Sequence, residues 1–354
     1  MTLRVIIYRL GVIPLLLLLC ILAACSQQDL DLEEQGMVSL KVLASPGTKA
    51  GEGGTATATL PAKETDIFDL SIFIFNSNGD VIGFTSQDFS DGKPTAVVVK
   101  TRKATGCSVY AIANAKTLNN GESPFDGVST LSVFKTKYLS FTDAKAPDNA
   151  NCLLMMGGVS SGFDTSSASS SSPATITLKR LASRIDYTIA VNNDNATGFP
   201  IVVDSYQLRN VPISTLFLQS DFTSPSMPSS MTFADFDKVS TPIPSVAAAT
   251  SAGTYYVYAN NGTSKETYLD IQAHSEVQGA GTKYTVWKSN FQVKMPGNHV
   301  LPNYHYKIDI VINGSVEGKN GGVITKYEAY PYFSGSIPTL NQWQSEPDRN
   351  LDLQ

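Results

Sequence analysis

The sequence predicts an all-β fold in two β-sandwich domains, and three observations carry that prediction. Short apolar runs of strand length recur along the chain, several alternate between apolar and polar residues, and turns rich in Asn, Gly and Pro separate them. The 354 residues exceed one ordinary small domain, and 42% hydrophobic with 16% charged residues is the composition of a folded chain. Long helices have no obvious place, although residues 126–139 could form one short helix.

The composition argues against several functions. The 26 Lys and Arg residues against 31 Asp and Glu residues give a net charge of -5, so no electrostatic footprint for nucleic acid is present. Three His and four Cys residues offer little material for a metal cluster or a histidine-based active site. We therefore expect no enzyme activity, no cofactor and no metal site.

The first 24 residues are predicted to be an export signal. Arg4 and Arg9 precede an apolar run over residues 10–22, which is shorter than the roughly 20 residues that a membrane-spanning helix needs. The letters LAAC, ending at Cys25, resemble the lipobox of bacterial lipoproteins, in which the peptidase cuts before a cysteine that receives acyl chains. Cys25 is then the lipidated N-terminus, and residues 25–36 are an acidic tether that leaves the folded part in water.

Two cysteines remain in the mature chain, because Cys20 leaves with the signal and Cys25 is lipidated. Outside the cytoplasm Cys107 and Cys152 could close a loop of about 45 residues, with a stabilisation of roughly 4 kcal/mol in the chain-entropy estimate. Two buried free thiols are the alternative.

Strand patterns are clearest at two places. Residues 69–75 and 81–84 flank a turn rich in Asn and Gly, which predicts a β-hairpin. Residues 304–312 alternate strictly, with Tyr and Ile on one face. His305 falls on the opposite, polar face, so we expect it at the surface rather than in a metal site.

The domain boundary is predicted in the serine-rich segment 164–173, which has no apolar periodicity. It separates an N-terminal domain, residues 37–163, from a C-terminal domain, residues 174–354. Residues 158–162 match the G-x-S-x-G pattern of hydrolases. That pattern needs a helix directly after the serine, and here a serine-rich segment follows, so we do not interpret it as a nucleophile.

The chain resembles the fimbrillins of Bacteroidales, the subunits of type V pili of the major and minor fimbrium type. The resemblance runs in order along nearly the whole chain and rests on the lipobox, the acidic tether and the segments VSLKVL (38–43), LSIFIF (70–75), VYAIANA (109–115), LKRLASR (178–184) and NYHYKI (303–308). It implies two transthyretin-like Greek-key β-sandwich domains and a head-to-tail polymer built with other pilus subunits.

The resemblance also implies an assembly mechanism. In the family, subunits reach the outer membrane as lipoproteins, a protease removes the first strand, and a strand from the next subunit replaces it. Here the removable strand is residues 38–43, with Val38, Leu40 and Val42 on one face and Leu43 completing it. The cut is expected after Lys49, which makes Ala50 the new first residue.

The processing site departs from that of the best-known members. Their processing follows arginine, whereas here no arginine lies between Cys25 and Arg102. Either a protease accepts Lys49 or the strand stays in place. The donor strand is expected at the C-terminal end, where residues 323–333 could supply an extended segment. Residues 340–354 are polar, unlike the apolar end expected of a stalk donor, so an accessory, tip or anchor subunit fits nearly as well as a stalk subunit.

Two functions therefore compete. The first is a structural pilus subunit that serves adhesion and biofilm formation. The second is a non-polymerising surface lipoprotein, either a pilus anchor or a glycan-binding protein. A sugar site would need exposed aromatic rings, and the aromatic candidates are Tyr255, Tyr256, Tyr258 and Trp287. Alternation places Tyr256 and Tyr258 on one face, and core or cross-strand packing is the favoured role.

Overall fold

Strands dominate the protein. The computed structural model describes residues 37–46, 61–94, 97–165, 174–192, 200–244, 250–279, 282–313, 323–331 and 343–344. Within these ranges the helices are short and the strands form several sheets, which confirms the predicted all-β class. The transthyretin-like Greek-key topology and the division into two domains stay predictions.

The elements follow in chain order. The first half contains β1 (Met37–Pro46), β2 (Asp69–Phe75), β3 (Val81–Asp88), β4 (Val97–Arg102), β5 (Cys107–Ala113), β6 (Tyr138–Ser140), β7 (Met155–Phe163) and β8 (Ala174–Arg180). The second half contains β9 (Ala182–Asn192), β10 (Ile201–Arg209), β11 (Val211–Pro212), β12 (Ser214–Leu216), β13 (Phe233–Ala234), β14 (Thr250–Tyr258), β15 (Tyr268–Gly279), β16 (Thr282–Lys294), β17 (Tyr304–Asn313), β18 (Val323–Pro331) and β19 (Trp343–Gln344). The helices are α1 (Ala115–Leu118), α2 (Leu131–Thr136) and α3 (Ala146–Asn149), with 3-10 turns at Ala62–Glu64 and Pro296–Asn298.

The first sheet closes on itself. Its strands hydrogen-bond in the order β1-β4-β3-β2-β5-β7-β8, and β8 returns to β1. Alternate side chains of β2, β4, β5 and β8 point inward and form one buried apolar cluster. The predicted hairpin is present as β2 and β3, because Asn76 accepts hydrogen bonds from the backbone of Asn78 and Asp80 and Gly79 supplies a φ of +88°.

The second half packs two sheets face to face. The five-stranded sheet β14-β9-β17-β18-β19 covers the three-stranded sheet β10-β15-β16. Inward side chains from β9, β14 and β17 meet those of β10, β15 and β16 in a second apolar cluster. This arrangement is a β-sandwich.

A third apolar cluster joins the two halves. The outer face of β2 supplies Phe73 and Phe75, α2 supplies Phe134, and β14 supplies Tyr256 and Tyr258. In addition, β6 pairs with β12 across the two halves. Both faces of β2 are therefore buried, which explains why its sequence is apolar on both faces.

Two predicted segments can be compared with the strands and helices. Strand β8 begins at Ala174, where the C-terminal domain was expected to start, yet it pairs with β1 and β7 of the first sheet. The first sheet therefore continues to Arg180, past the expected linker at 164–173. The helix expected within 126–139 is limited to α2, because Thr130 caps its start through Val133 N–H and Lys137 returns to extended backbone.

Candidate assembly groove

Strand β1 fills a groove between β4 and β8. It runs antiparallel to β4 over Met37–Val42 and parallel to β8 over Val42–Pro46. The backbone of one strand thus satisfies hydrogen-bonding groups on two neighbours. We call the space that β1 occupies the β1 groove.

Buried side chains form the floor of the β1 groove. In β4 they are Val97, Val99 and Thr101, and in β8 they are Ile176 and Leu178, each no more than 4% exposed. Val38, Leu40 and Val42 are the register partners of Thr101, Val99 and Val97. The side chains of β1 lie outside the described part, so the apolar face of β1 stays a prediction. Leu43 pairs with Thr175 of β8.

The two walls of the β1 groove have few pairs on their other sides. Among the described residues, β4 pairs with β3 at Gly83 and Thr101, and β8 pairs with β7 at Met155–Arg180 and Met156–Lys179. Removal of β1 would therefore leave β4 and β8 each with few strand pairs.

A buried polar network surrounds Glu64, which lies between β1 and β2 in the chain. Glu64, in the 3-10 turn, is fully buried, and its Oε1 accepts hydrogen bonds from Tyr256 Oη at 2.7 Å and Arg184 at 3.3 Å. Its carbonyl oxygen accepts a hydrogen bond from Arg180 Nε at 2.8 Å. Charge-assisted hydrogen bonds of this kind are the stronger ones in proteins, so the network fixes residues 61–64 against the second half.

Asp186 extends the network to β17. It accepts hydrogen bonds from His305 Nε2 at 2.6 Å, Arg184 Nε at 2.8 Å and Thr254 Oγ1 at 2.6 Å. Burial alone would raise the pKa of Asp186, but these three donors outweigh burial and lower the pKa. The expectation of a surface position for His305 is wrong, because this residue is 3% exposed.

Asp148 and Lys63 lie at the edge of the network. Burial raises the pKa of Asp148 to about 6, against the opposing effects of the Tyr256 backbone N–H and the Lys63 ammonium. Burial also lowers the pKa of Lys63. The Lys63 ammonium donates to the carbonyl oxygen of Asp148 and lies 4.6 Å from the centre of the Tyr256 ring, a cation–π distance.

The cysteines do not meet. Cys107 and Cys152 are both free and buried. Cys107 lies at the start of β5. Cys152 lies near the other end of β5, because its neighbour Leu153 accepts a hydrogen bond from the side chain of Asn114, the residue after β5. A strand of this length spans about 20 Å, and a disulfide requires Cα atoms within about 7 Å. The disulfide that the sequence allows is therefore absent, and burial raises the pKa of Cys152 to about 12.

The aromatic candidates for a sugar site are mostly buried. Tyr255, Tyr256 and Tyr258 are 7%, 8% and 1% exposed. Tyr255 packs in the core of the second half, and the other two pack in the cluster between the halves. Trp287 lies in β16, and its side chain is outside the described part. The tyrosines are thus packing residues rather than an exposed platform.

The remaining sequence candidates give no site. Cys25, Lys49 and Ala50 lie outside the described residues, so lipidation and processing stay predictions. The G-x-S-x-G match at residues 158–162 lies inside β7, and no helix follows it directly in the described chain. Over the ranges described, no group of His, Cys, Asp or Glu residues could hold a metal ion. Within the same ranges, no helix has the length and apolar character to cross a membrane.

Sequence reasoning missed the network around Glu64. Its members come from residues 61–64, α3, β8, β9, β14 and β17, which are distant in the chain. Arg180 and Arg184 lie in a segment that carried the family resemblance, but nothing local indicated their partners. No local signal could have predicted the network, because only long-range packing brings its members together.

A family model matches the part of the chain that holds the β1 groove. The model for the major fimbrial subunit protein (FimA) matches residues 37–198, which include all seven strands of the first sheet. No curated protein matches the chain.

Solved structures share the fold over most of the chain. A proposed cell adhesion protein from Parabacteroides distasonis is 17% identical, with a TM-score of 0.58 over 85% of this chain and 98% of that one. Another from Bacteroides eggerthii is 18% identical, with a TM-score of 0.57 over 84% and 96%. The tip fimbrial protein Mfa3 from Porphyromonas gingivalis, truncated at its C-terminus, is 13% identical, with a TM-score of 0.50 over 82% and 99%.

Proposed function

We propose that this chain is a fimbrial subunit that joins a fimbrium by exchanging β1 for a strand of another subunit. The match of the major fimbrial subunit model to residues 37–198 supports this proposal. The proteins of the major fimbrial subunit family are structural subunits of the cell-surface fimbrium and not enzymes.

The position of β1 is the observation that carries the proposal. Because β1 pairs with both β4 and β8, its departure frees backbone N–H and C=O groups on two edges at once. It also uncovers the buried side chains of the groove floor. An incoming strand that satisfies both edges and covers the floor is the β-augmentation mode of recognition.

The floor gives the exchange a driving force. Val97, Val99, Ile176 and Leu178 lie in the apolar core of the first sheet. Full burial of one such side chain stabilises by about 1.5–3 kcal/mol, so an empty groove is costly and a filled one is stable. The donor lies on one subunit and the groove on the next, which is a head-to-tail contact that builds open filaments.

The donor is proposed at the C-terminal end of another subunit. Here β18 pairs with β17 inside its own sheet, so residues 323–331 are already engaged. Residues 340–354 follow this segment, and all of them except residues 343–344 lie outside the described residues. Their sequence is polar, which fits an accessory, tip or anchor subunit as well as a stalk subunit.

The N-terminal features supply the export route. In this proposal residues 1–24 direct export, Cys25 receives acyl chains, and the acidic tether up to residue 36 holds the protein at the outer membrane before processing. Cleavage after Lys49 would then release β1 together with the anchor. Fimbria assembled in this way would serve adhesion and biofilm formation.

Mass and N-terminal sequence of the protein recovered from the cell surface test the proposal. We expect a chain without lipid that begins at Ala50, and a Lys49→Gln variant that keeps acylated Cys25. The matched control is Lys93→Gln, an exposed lysine in a described loop, which should be processed normally. A wild-type chain that still begins at acylated Cys25 would contradict strand removal and support a non-polymerising surface lipoprotein.

A further inference from the structure

Strand β8 is a wall of the β1 groove that has more described pairs with β1 than with β7. Residues 174–178 pair with β1 in parallel, whereas the described pairs with β7 are confined to Lys179 and Arg180 at the end of β8. When β1 leaves, residues 174–178 lose the strand that pairs with them. The segment that precedes β8, residues 166–173, lies outside the described residues.

The opposite wall is connected differently. Strand β4 runs into a short turn to β5, and Thr165 ties down that turn. Thr165 Oγ1 accepts a hydrogen bond from Ala104 N–H and donates to the carbonyl oxygen of Arg102, both at 2.8 Å. The β4 wall therefore keeps a local attachment without β1.

The attachment of β8 lies at Arg180. This side chain is 1% exposed, and its Nε donates to the carbonyl oxygen of Glu64 at 2.8 Å. The backbone N–H of Arg180 donates to Asn303 Oδ1 at 3.0 Å. The next residue, Leu181, donates its N–H to the carbonyl oxygen of Leu154 at 2.8 Å. Three separate parts of the chain thus hold the end of β8.

The partners of Arg180 are themselves fixed. Glu64 is held by Tyr256 and Arg184, as described above. Asn303 is 2% exposed, has a φ of +60° and donates its N–H to the carbonyl oxygen of Ala182. None of these contacts involves β1, so strand removal leaves them intact.

We propose that Arg180 is a positioning residue that holds β8 in place as a wall of the β1 groove while β1 is absent. The proposal rests on strand exchange, because it concerns the same groove. A wall that stays ordered lets an incoming strand bind without first ordering β8, and this preorganisation strengthens binding. The second half of the chain would thereby control how readily the first half accepts a strand.

The test uses the mature full chain with a site-specific protease sequence in place of residues 47–53. After cutting, a fluorescent peptide of residues 37–46 is added in excess, and anisotropy gives its affinity. Hydrogen exchange of residues 174–180 is measured in the same cut protein. The variants are Asn303→Gly, which removes one acceptor while tolerating the positive φ, and Arg180→Met.

We expect the peptide to bind about fivefold more weakly to Asn303→Gly and at least about tenfold more weakly to Arg180→Met. Exchange in β8 should become faster in both variants. The matched control is Asn210→Gly, a second asparagine with a positive φ, 55°, whose side chain bonds the carbonyl oxygen of Glu266 far from β8. This control should bind the peptide like the wild type.

Wild-type affinity and wild-type β8 exchange in both variants would overturn the proposal. Failure of strand exchange would give a different result, because the wild-type cut protein would then take up no peptide at all. In that case β8 exchange still tests the role of Arg180. If Arg180→Met does not fold, Asn303→Gly alone decides between the outcomes.

Discussion

Substitution of Asp148 by Asn should stabilise the protein at neutral pH and leave it unchanged in acid. Burial raises the pKa of this carboxyl to about 6, so the folded state disfavours its charged form. Asn keeps the acceptor for the backbone N–H of Tyr256, which Asp148 Oδ1 binds at 2.7 Å. It also leaves the backbone contact from Lys63 in place.

The magnitude follows from the difference between the folded and unfolded pKa values. A folded pKa of about 6 against the ordinary pKa of 3.8 corresponds to roughly 3 kcal/mol as an upper limit. The side chain is only half-buried, and solvent screening reduces this to about 1–2 kcal/mol. Below pH 3.8 both states of the wild type are protonated and the penalty vanishes. As the pH rises through 6 the penalty becomes complete.

Urea unfolding at pH 7.5 and pH 4 checks this prediction. We expect Asp148→Asn to raise the free energy of unfolding by about 1–2 kcal/mol at pH 7.5 and to change it little at pH 4. Asp126→Asn makes the same chemical change at an exposed site and should have little effect at either pH. Equal effects of Asp148→Asn at both pH values, or destabilisation at pH 7.5, would refute the reasoning.

Three other predictions follow from the packing. Gly157→Ala should destabilise the protein by at least about 1–3 kcal/mol, because a Cβ at this position overlaps the carbonyl oxygen of Thr177 in β8. Urea titration measures the change, and an unchanged midpoint would contradict this close approach. Tyr256→Phe should cost about 1–3 kcal/mol, because Glu64 loses a buried donor, whereas Tyr138→Phe at an exposed site should cost little. Cys107 and Cys152 should react with a thiol reagent at pH 8 only after unfolding. Rapid labelling of these two residues in the native protein would contradict their burial.

Local patterns predicted the fold class and several elements. The hairpin of β2 and β3 followed from two apolar runs around an Asn- and Gly-rich turn, and the alternation of residues 304–312 marked β17. These features depend on neighbours in the sequence. The family resemblance added the β1 strand, whose position in the closed sheet depends on β8, more than a hundred residues later in the chain.

Long-range packing explains what the sequence could not predict. His305 lies on a polar face of β17, but Asp186 in β9 bonds it at 2.6 Å and the site is closed to solvent. The predicted packing role of Tyr255 and Tyr256 is confirmed, but the sequence did not indicate that the two faces of β14 meet different apolar clusters. Alternation predicts two faces; it does not tell what covers each face.

Polymerisation of the chain that begins at Ala50 tests the central claim most directly. The account predicts that this chain, which lacks β1, forms head-to-tail polymers visible by size-exclusion chromatography and electron microscopy. It also predicts that the chain that keeps residues 26–49 stays monomeric, and that a peptide of residues 37–46 blocks polymer growth. Equal behaviour of the two chains, or polymers that the peptide does not affect, would contradict the account.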